Sequence, residues 1–227
     1  MLRKLFDQEI QNTKDQIVIL GDMVVLAVLA SAAALKEHNL WAAQQVVEND
    51  AVVNAKCFDI KNQVINLIAT QQPMAHDLRV IASILEIIGE LERIGDYAKG
   101  IGLQCIRIGD RPAIRRLSDL PLMAQLAMSM LHRSLVAFAA EDAVAARNIP
   151  DEDDNVDNLY LQFYRVMITY VLENESNIEE VTCLLRAAHH LERAADRVSN
   201  ICERTIFIVT GEITELTGYK TGQTLVQ

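Results

Sequence analysis

Two pairs of acidic residues with the spacing Glu-x-x-x-Asp occur in the sequence, at Glu92 with Asp96 and at Glu192 with Asp196. On a helix this spacing places the two carboxylates one turn apart on the same surface, with about 5–6 Å between their Cβ atoms. Like charges at that separation destabilise a helix by about 0.2–0.5 kcal/mol, so a cation that neutralised them would be stabilising. All-oxygen ligands select hard cations such as Mg²⁺, Mn²⁺ or ferric iron over zinc. The repeated pair therefore predicts two cation sites.

Further acidic residues stand on the segment that precedes each pair. Asp50 begins the stretch DAVVN at 50–54, and Asp154 begins the loosely similar stretch DNVDN at 154–158. Because hard cations take several oxygen ligands, we expect Asp50 and Asp154 to be additional donors. Asp153 and Asp157, which flank Asp154, are weaker candidates.

A histidine could contribute to the second site only. His189 lies three residues before Glu192 and shares its helix face. An imidazole ligand would broaden the choice of ion towards iron, zinc or manganese. The equivalent position in the first half is Gly89, so His189 is also a weaker candidate. The predicted cation is thus divalent or ferric, with iron, magnesium, manganese and zinc all open.

A solvated helix face would explain the same acidic pattern without a bound ion. Arg93 precedes Asp96 by three residues and Arg193 precedes Asp196 likewise, so each can form an ion pair on its own helix. Two observations favour a site. The acidic pair recurs in the second half, and Leu78, Ile81, Leu85 and Ile88 form an apolar stripe along the direction of Glu92 and Asp96, which indicates that something covers this side of the helix. At 100° per residue Glu92 and Asp96 point away from the apolar seam, so the predicted site is superficial.

The elements that must position these carboxylates are predicted to be helices. Gly and Pro number only 9 and 4, too few for the many turns of a sandwich or barrel. Apolar residues around each acidic pair recur at alternating steps of three and four, which is typical of helices packed along nearly parallel neighbours. Helices are predicted at 3–36, 40–71 with Asn39 as its cap, 75–108, 122–139, 142–173 with a kink or restart at Pro150, and 178–211. The predicted seam residues are Ile84, Ile87, Leu91, Ile94, Ala98, Ile101, Cys105 and Ile108 in the first half, and Leu184, Ala187, Leu191, Ala194, Val198, Ile201, Thr205 and Ile208 in the second.

An internal repeat with an offset of 100 residues relates the two halves of the chain. The residues that match are Leu85, Leu91, Glu92, Arg93, Asp96, Ile101 and Ile108 with Leu185, Leu191, Glu192, Arg193, Asp196, Ile201 and Ile208. The repeat predicts an all-α fold of two tandem three-helix bundles, each burying its own core. We expect the first bundle at 1–110, a linker at 111–120, the second bundle at 121–215 and a flexible tail at 216–227.

Composition excludes several classes of function. The net charge of −10 disfavours nucleic acid as a partner, and neither a P-loop nor a dinucleotide fingerprint occurs. The four cysteines lack the spacing typical of a disulfide scaffold or of a zinc-binding motif, and no secretion signal is evident. A cytoplasmic location is therefore expected. The longest apolar run, at 23–35, spans 13 residues and is shorter than the roughly 20 of a membrane helix.

The motifs together resemble those of the PhoU family. QPMAHDLR at 72–79 followed by ELERIGD at 90–96 resembles the first signature of that family, and LERAADRVSNI at 191–201 resembles the second. The stretch DDNVDNLY at 153–160 resembles the acidic segment before the second signature. Ala194 and Ala195 depart from the usual Ile-Gly between the two carboxylates, so the match to the family is weaker at the second site than at the first.

This resemblance implies a regulator rather than an enzyme. Members of the family are cytoplasmic, often dimeric, and act as negative regulators of phosphate uptake and phosphate-starvation signalling. They are understood to link the ATP-binding subunit of the phosphate ABC transporter to a membrane sensor histidine kinase, and so to reach the membrane through partners only. Their Glu(Asp)-x-x-x-Asp motifs can bind metal clusters on the surface, which would apply to Glu92, Asp96, Glu192 and Asp196.

Two other functions fit an acidic helical bundle. A carboxylate-bridged metalloenzyme would have inward-pointing Glu and Glu-x-x-His ligands, whereas this sequence has one His-x-x-Glu in reversed order and carboxylates off the seam. A structural bundle whose acidic faces bind nothing is the third possibility. Metal content separates the third possibility from the others, and turnover with oxygen separates an enzyme from a regulator.

Overall fold

The computed structural model describes residues 2–109, 114 and 117–216, and within them it contains helices and no strands. The helices are α1 (Leu2–Glu37), α2 (Leu40–Gln71), α3 (His76–Ile108), α4 (Asp119–Ala140), α5 (Ala143–Asn148), α6 (Asp153–Glu173) and α7 (Ile178–Thr210), with 3₁₀ turns at Pro150–Glu152 and Glu175–Asn177. The prediction of an all-α chain is confirmed.

Local signals in the sequence set most of the helix ends. Asn39 caps α2, its side-chain oxygen accepting a hydrogen bond from the amide of Ala42 at 2.9 Å. Gly211 ends α7 in the left-handed conformation with φ of 77°. The predicted restart at Pro150 is confirmed, because a 3₁₀ turn there separates α5 from α6. The prediction that α4 begins at Leu122 is wrong by three residues: the helix starts at Asp119, since proline is tolerated within a first helical turn.

Each half of the chain forms a bundle around its predicted seam. In the first half α1, α2 and α3 pack on one another, and in the second half α4, α6 and α7 do so, with α5 against α7. All sixteen predicted seam residues are buried, none more than 1% exposed. The structure therefore has two tandem three-helix bundles, as the repeat predicts.

The two bundles are joined through α3 with α7 and α1 with α4. Helices α3 and α7 run antiparallel: Arg79 near the start of α3 donates from Nε to the carbonyl of Ile208 near the end of α7, at 3.1 Å. Further along, the rings of Tyr97 and His190 stack with their centroids 5.5 Å apart. Instead of two separate cores, the buried side chains form one continuous cluster.

The predicted linker and tail lie largely outside the described residues, and the domain limits of 110, 120 and 215 stay predictions. At the linker, the buried Ile114 donates its amide to Glu180 Oε1 on α7 at 2.9 Å. At the start of the tail, the amide of Leu216 donates to Glu203 Oε1 at 2.7 Å. Two carboxylates of α7, those of Glu180 and Glu203, thus bind the backbone of the predicted linker at Ile114 and of the predicted tail at Leu216.

Within the described residues, two helices have the length and composition to cross a membrane, Lys4–Glu37 and Asp119–Ala140. In the fold, 44% and 56% of the residues in their most apolar windows are buried. The two helices pack on each other so closely that a Cβ at Gly21 would meet Leu135 Cδ1 at 2.0 Å. Core helices of water-soluble bundles share this length and composition, so the finding is weak evidence for a membrane span.

Two buried glycines of α3 are expected to respond differently to alanine. A Cβ at Gly95 would make an ordinary contact, 3.4 Å from Val53 Cγ1, whereas one at Gly102 would lie 3.1 Å from the backbone oxygen of Ala43. Gly95→Ala is therefore expected to stabilise the fold by about 0.5–1 kcal/mol, the gain in helix propensity. Gly102→Ala should lose that gain, because a backbone oxygen cannot move aside. Urea unfolding of both variants checks this, and equal changes in stability would contradict it.

Candidate cation sites on α3 and α7

The first acidic site combines residues of α2 and α3. As predicted, Glu92 and Asp96 point away from the core: the Glu92 side chain is 39% exposed and Asp96 is exposed. Asp50 of α2 is buried, with 6% of its surface exposed, and its charge acts on Asp96. The structure thus brings together the three residues predicted for this site.

Two lysines, which sequence reasoning missed, already neutralise the first site. Lys61 Nζ lies 2.6 Å from Glu92 Oε2, and Lys99 Nζ lies 2.9 Å from Asp50 Oδ2. Asn54 also donates to Asp50 Oδ2 at 3.0 Å, while the buried Asp50 Oδ1 accepts no hydrogen bond. A cation at this site would have to displace Lys99 or use the remaining oxygen of Asp50.

Protonation at the first site follows from burial and crowding of charge. Although Asp96 is exposed, partial loss of hydration is the main cause that raises its pKa; the Asp50 charge adds to this, Lys99 opposes it, and Glu92 adds a smaller increase. Hydrogen bonding to Asp50 raises the pKa of Lys99 and keeps it charged. Burial raises the pKa of the nearby Cys57 to about 11, which makes that thiol a poor ligand.

The second acidic site has different counter-charges. The side chains of Glu192 and Asp196 are 21% and 36% exposed. His189 Nδ1 lies 3.0 Å from Glu192 Oε2, although that buried oxygen accepts no hydrogen bond of good geometry. Arg193 Nη1 lies 3.2 Å from Asp196 Oδ2, which is the ion pair expected for a solvated face. The structure therefore brings His189 to Glu192, as predicted.

Asp157 of α6, a weaker candidate from the sequence, acts electrostatically on the second acidic pair. Burial is the main cause that raises the pKa of Glu192 and of Asp196, and the Asp157 charge raises both further. Asp153 and Asp154 stand in the first turn of α6, where Asp154 is exposed. The loose sequence match between 50–54 and 154–158 favoured Asp154 as the donor. Asp157 lies about one helical turn later, and so loose a match does not distinguish the two positions.

The donor chemistry and the arrangement of the ligands give different indications about a metal ion. Among the buried carboxylate oxygens that accept no hydrogen bond are Asp50 Oδ1 and Glu192 Oε2, and each would suit a cation. Among the described residues, however, no three His, Cys, Asp or Glu side chains are close enough to hold one ion. The side chains as they stand therefore do not form a closed metal site, and binding would require the carboxylates to turn towards one another.

Neutralising the second acidic pair is expected to stabilise the protein at neutral pH. An acid whose pKa is raised by folding binds more protons in the folded state, so its charge lowers stability fully above the folded pKa and not at all below the unfolded pKa. Glu192→Gln with Asp196→Asn should therefore raise the free energy of unfolding by about 0.5–1 kcal/mol near pH 7, after allowance for solvent screening. The gain should shrink as the pH falls through the folded pKa values.

The measurement is thermal unfolding of the wild type and of the double variant, from pH 7 down through the folded pKa values of Glu192 and Asp196. Glu173→Gln, which changes an exposed carboxylate on α6, serves as the control and should leave the curve unchanged. A gain that stayed constant on acidification would contradict the assignment to these two carboxylates.

Comparison with known proteins gives consistent matches. The family described as "PhoU domain" matches residues 17–104 and again residues 120–205. A "Phosphate-specific transport system accessory protein PhoU homolog" of Aquifex aeolicus is 34% identical over 210 residues, which cover 92% of this chain and 95% of the relative. A protein of the same name from Clostridium acetobutylicum is 30% identical over 217 residues, covering 95% of this chain and 99% of its own.

A solved structure agrees with the fold as well. The crystal structure of PhoU from Pseudomonas aeruginosa superposes with a TM-score of 0.85 at 30% identity, over 91% of this chain and 100% of the other. The two family matches coincide with the two halves that carry the acidic pairs. From its sequence, its repeat and its fold, the chain belongs to the PhoU family.

Proposed function

We propose that the protein is an accessory protein of a phosphate-specific transport system and a negative regulator of phosphate uptake and phosphate-starvation signalling. Relatives that align along nearly their whole length are named accessory proteins of that system, and a solved neighbour from Streptococcus pneumoniae is named a phosphate transport system regulatory protein. None of these names describes an enzyme. We further propose that the protein works without catalysis, in the cytoplasm, and as a homodimer.

The observation that carries this proposal is the repeated acidic pair on partly exposed surfaces of α3 and α7. The two helices are packed together, so the pairs keep a fixed relation to each other. A rigid acidic face attracts basic partner surfaces and rejects acidic ones. We propose that this face docks the ATP-binding subunit of the phosphate ABC transporter and the sensor histidine kinase.

A cation would change the charge of this face and thereby the choice of partner. Glu192, Asp196, Asp157 and His189 are the residues that would hold it at the second site, and Glu92, Asp96 and Asp50 at the first. The second site should load first. Lys61 and Lys99 pair with Glu92 and Asp50 at the first site, whereas the Arg193 pair at the second site is with Asp196 and leaves Glu192 Oε2 without a hydrogen bond. Metal analysis of the purified protein, with Lys99→Met as the variant that opens the first site, tests this order of loading.

The competing enzyme hypothesis is less well supported by the geometry. A carboxylate-bridged metalloenzyme holds its metal between inward-facing ligands in a dry bundle core. Here the side chains of Glu92, Glu192 and Asp196 are 39%, 21% and 36% exposed, respectively. Such open carboxylates suit exchange of ions and partners better than oxygen chemistry.

Complementation tests the regulatory role. The gene is expressed in a bacterium lacking its own PhoU, and a phosphate-starvation reporter is read in high phosphate. Wild type is expected to restore repression, and the variant with Glu92, Asp96, Glu192 and Asp196 changed to Ala is expected to lose it. A matched control removes the same four charges from exposed positions elsewhere, at Glu37, Glu173, Glu175 and Glu212.

The outcomes separate the two parts of the proposal. Repression by the control but not by the acidic-site variant assigns the role to the acidic face. Equal repression by the wild type, the acidic-site variant and the control would contradict that assignment. A reporter that stays active with soluble wild type, in a host carrying the transporter and kinase of the same species, would reject the regulatory function itself.

A further inference from the structure

A groove runs between α1 and α2 of the first bundle. The two helices are antiparallel, and Lys56 Nζ on α2 donates to Gln16 Oε1 on α1 across the groove. On one side of this bridge lies an apolar pocket of about 350 Å³, whose lining includes Met23, Leu26 and Val52. The groove therefore has an apolar end with room for several side chains.

The other end of the same groove is polar. Beyond the Lys56 bridge lies a second pocket of about 290 Å³, lined mainly by Glu9, Asn12, Gln63 and Asn66. The helix residues that line the two pockets run from 9 to 30 on α1, a length of about 30 Å at 1.5 Å per residue. This length and the change from apolar to polar lining match a helix laid along the groove.

The apolar end is not covered by any other described part of the chain. Leu26 is 68% exposed and Val52 is 58% exposed, although each lies beside buried neighbours such as Val53. Helix α2 packs on α1 and α3. Large apolar side chains gathered along an open groove are typical of an interaction site.

The exposed surface of the two helices that form the groove is acidic. Glu9 lines the polar pocket, and Asp15, Glu48 and Asp59 are exposed on the same two helices; these four residues are the acidic rim. The carboxylates of Asp15 and Glu48 accept hydrogen bonds from neutral glutamine amides at 2.9 Å, which leaves their charge in place. Lys56, the cation within the groove, already donates to Gln16. Charge complementarity therefore favours a cationic occupant.

We propose that the α1–α2 groove docks an amphipathic helix of a partner protein, with apolar residues at i, i+3, i+4 and i+7 and lysine or arginine along both flanks. The apolar side chains would fill the pocket at Leu26 and Val52, and the basic flanks would pair with the acidic rim. A second copy of this chain would bring the same acidic rim and a net charge of −10, and an anionic membrane would be repelled likewise. The groove is separate from the acidic pairs on α3 and α7, so this proposal does not depend on them.

Titration calorimetry with the full chain tests the proposal. The probe is an 18-residue helical peptide of leucine and lysine in the i, i+3, i+4, i+7 pattern, and its twin has glutamate in place of every lysine. The lysine peptide is expected to bind one to one, and the glutamate twin about tenfold more weakly or worse. Leu26→Lys and Val52→Lys should each weaken binding of the lysine peptide about tenfold or more.

Leu172→Lys is the matched control, because it adds the same charge at an 81% exposed leucine of α6. It should leave binding unchanged. The proposal is overturned if the peptide fails to bind, if both peptides bind equally, or if Leu26→Lys binds as well as Leu172→Lys. Sedimentation of the same variants tests whether a second copy of the chain occupies the groove instead. If Leu26→Lys converts an oligomer to a monomer and Leu172→Lys does not, the groove is a contact between copies and the proposal is rejected.

Discussion

Replacing Phe163 by alanine is expected to lower the free energy of unfolding by about 3–5 kcal/mol, the usual cost of truncating a buried phenylalanine. The reason is the sparse attachment of α6. Its fully buried side chains are Val156, Phe163 and Met167, and the ring of Phe163 is the largest of them. Stability of small domains is typically about 5–15 kcal/mol, so this change removes a large fraction of it.

The loss should be concentrated in α6 and should disturb the second acidic site. Helix α6 carries Asp157 and also Tyr160, whose ring lies 6.1 Å from that of His189. Amide hydrogen exchange over residues 153–173 is therefore expected to accelerate more than exchange in α2. Tyr164→Ala, which truncates a 44% exposed aromatic one residue away, is the control and should change stability by about 0.5 kcal/mol or less. Equal losses for the two variants would contradict the assigned role of Phe163.

Arg197→Ala is expected to cost about 2–3 kcal/mol, because it breaks an ion pair between the two bundles. Arg197 Nη1 lies 3.4 Å from Glu90 Oε2, and both side chains are largely buried, at 16% and 18% exposure. Burial lowers the pKa of Arg197, but its interactions with Tyr97 and Glu90 outweigh this and raise the pKa overall. Removal of the cation would leave the Glu90 carboxylate buried without its counter-charge, which is costlier than loss of the attraction itself.

A double-mutant cycle measures this pair. Glu90→Ala in the Arg197→Ala background should cost less than Glu90→Ala alone, since the orphaned charge is then removed as well. Arg193→Ala provides the control, because its ion pair with Asp196 is on one helix, with side chains 40% and 36% exposed, and should be worth about 0.2–0.5 kcal/mol. Additive effects of Arg197→Ala and Glu90→Ala would show that the contact contributes nothing to docking.

Sequence patterns predicted the parts of the structure that depend on near neighbours along the chain. The apolar seam of α3 and the cap at Asn39 follow from periodicity and from the chemistry of one side chain. The outward direction of Glu92 follows from helical phase alone. These features were predictable because each is decided within a few turns of one helix.

What could not be predicted depends on the register between helices. Lys61 lies 31 residues from Glu92, and no pattern within one helix indicates that they meet. The same holds for Asp157 of α6, whose charge raises the pKa of Glu192 and of Asp196 across the contact between α6 and α7. The joining of both halves into one core likewise depends on contacts between residues about 100 positions apart.

The contacts between α3 and α7 are reciprocal: position 97 meets position 190, and position 197, one repeat later, meets position 90. Reciprocity of this kind defines an isologous interface, the type found in a two-fold symmetric homodimer. The chain thus resembles a homodimer whose subunits are fused into one polypeptide, so its halves can differ where the subunits of a true homodimer must be identical. One member of the reciprocal pair is a stack of Tyr97 on His190, and the other is an ion pair. The two acidic sites differ in the same way: lysines of α2 and α3 pair with the first, whereas a histidine and an arginine of α7 pair with the second.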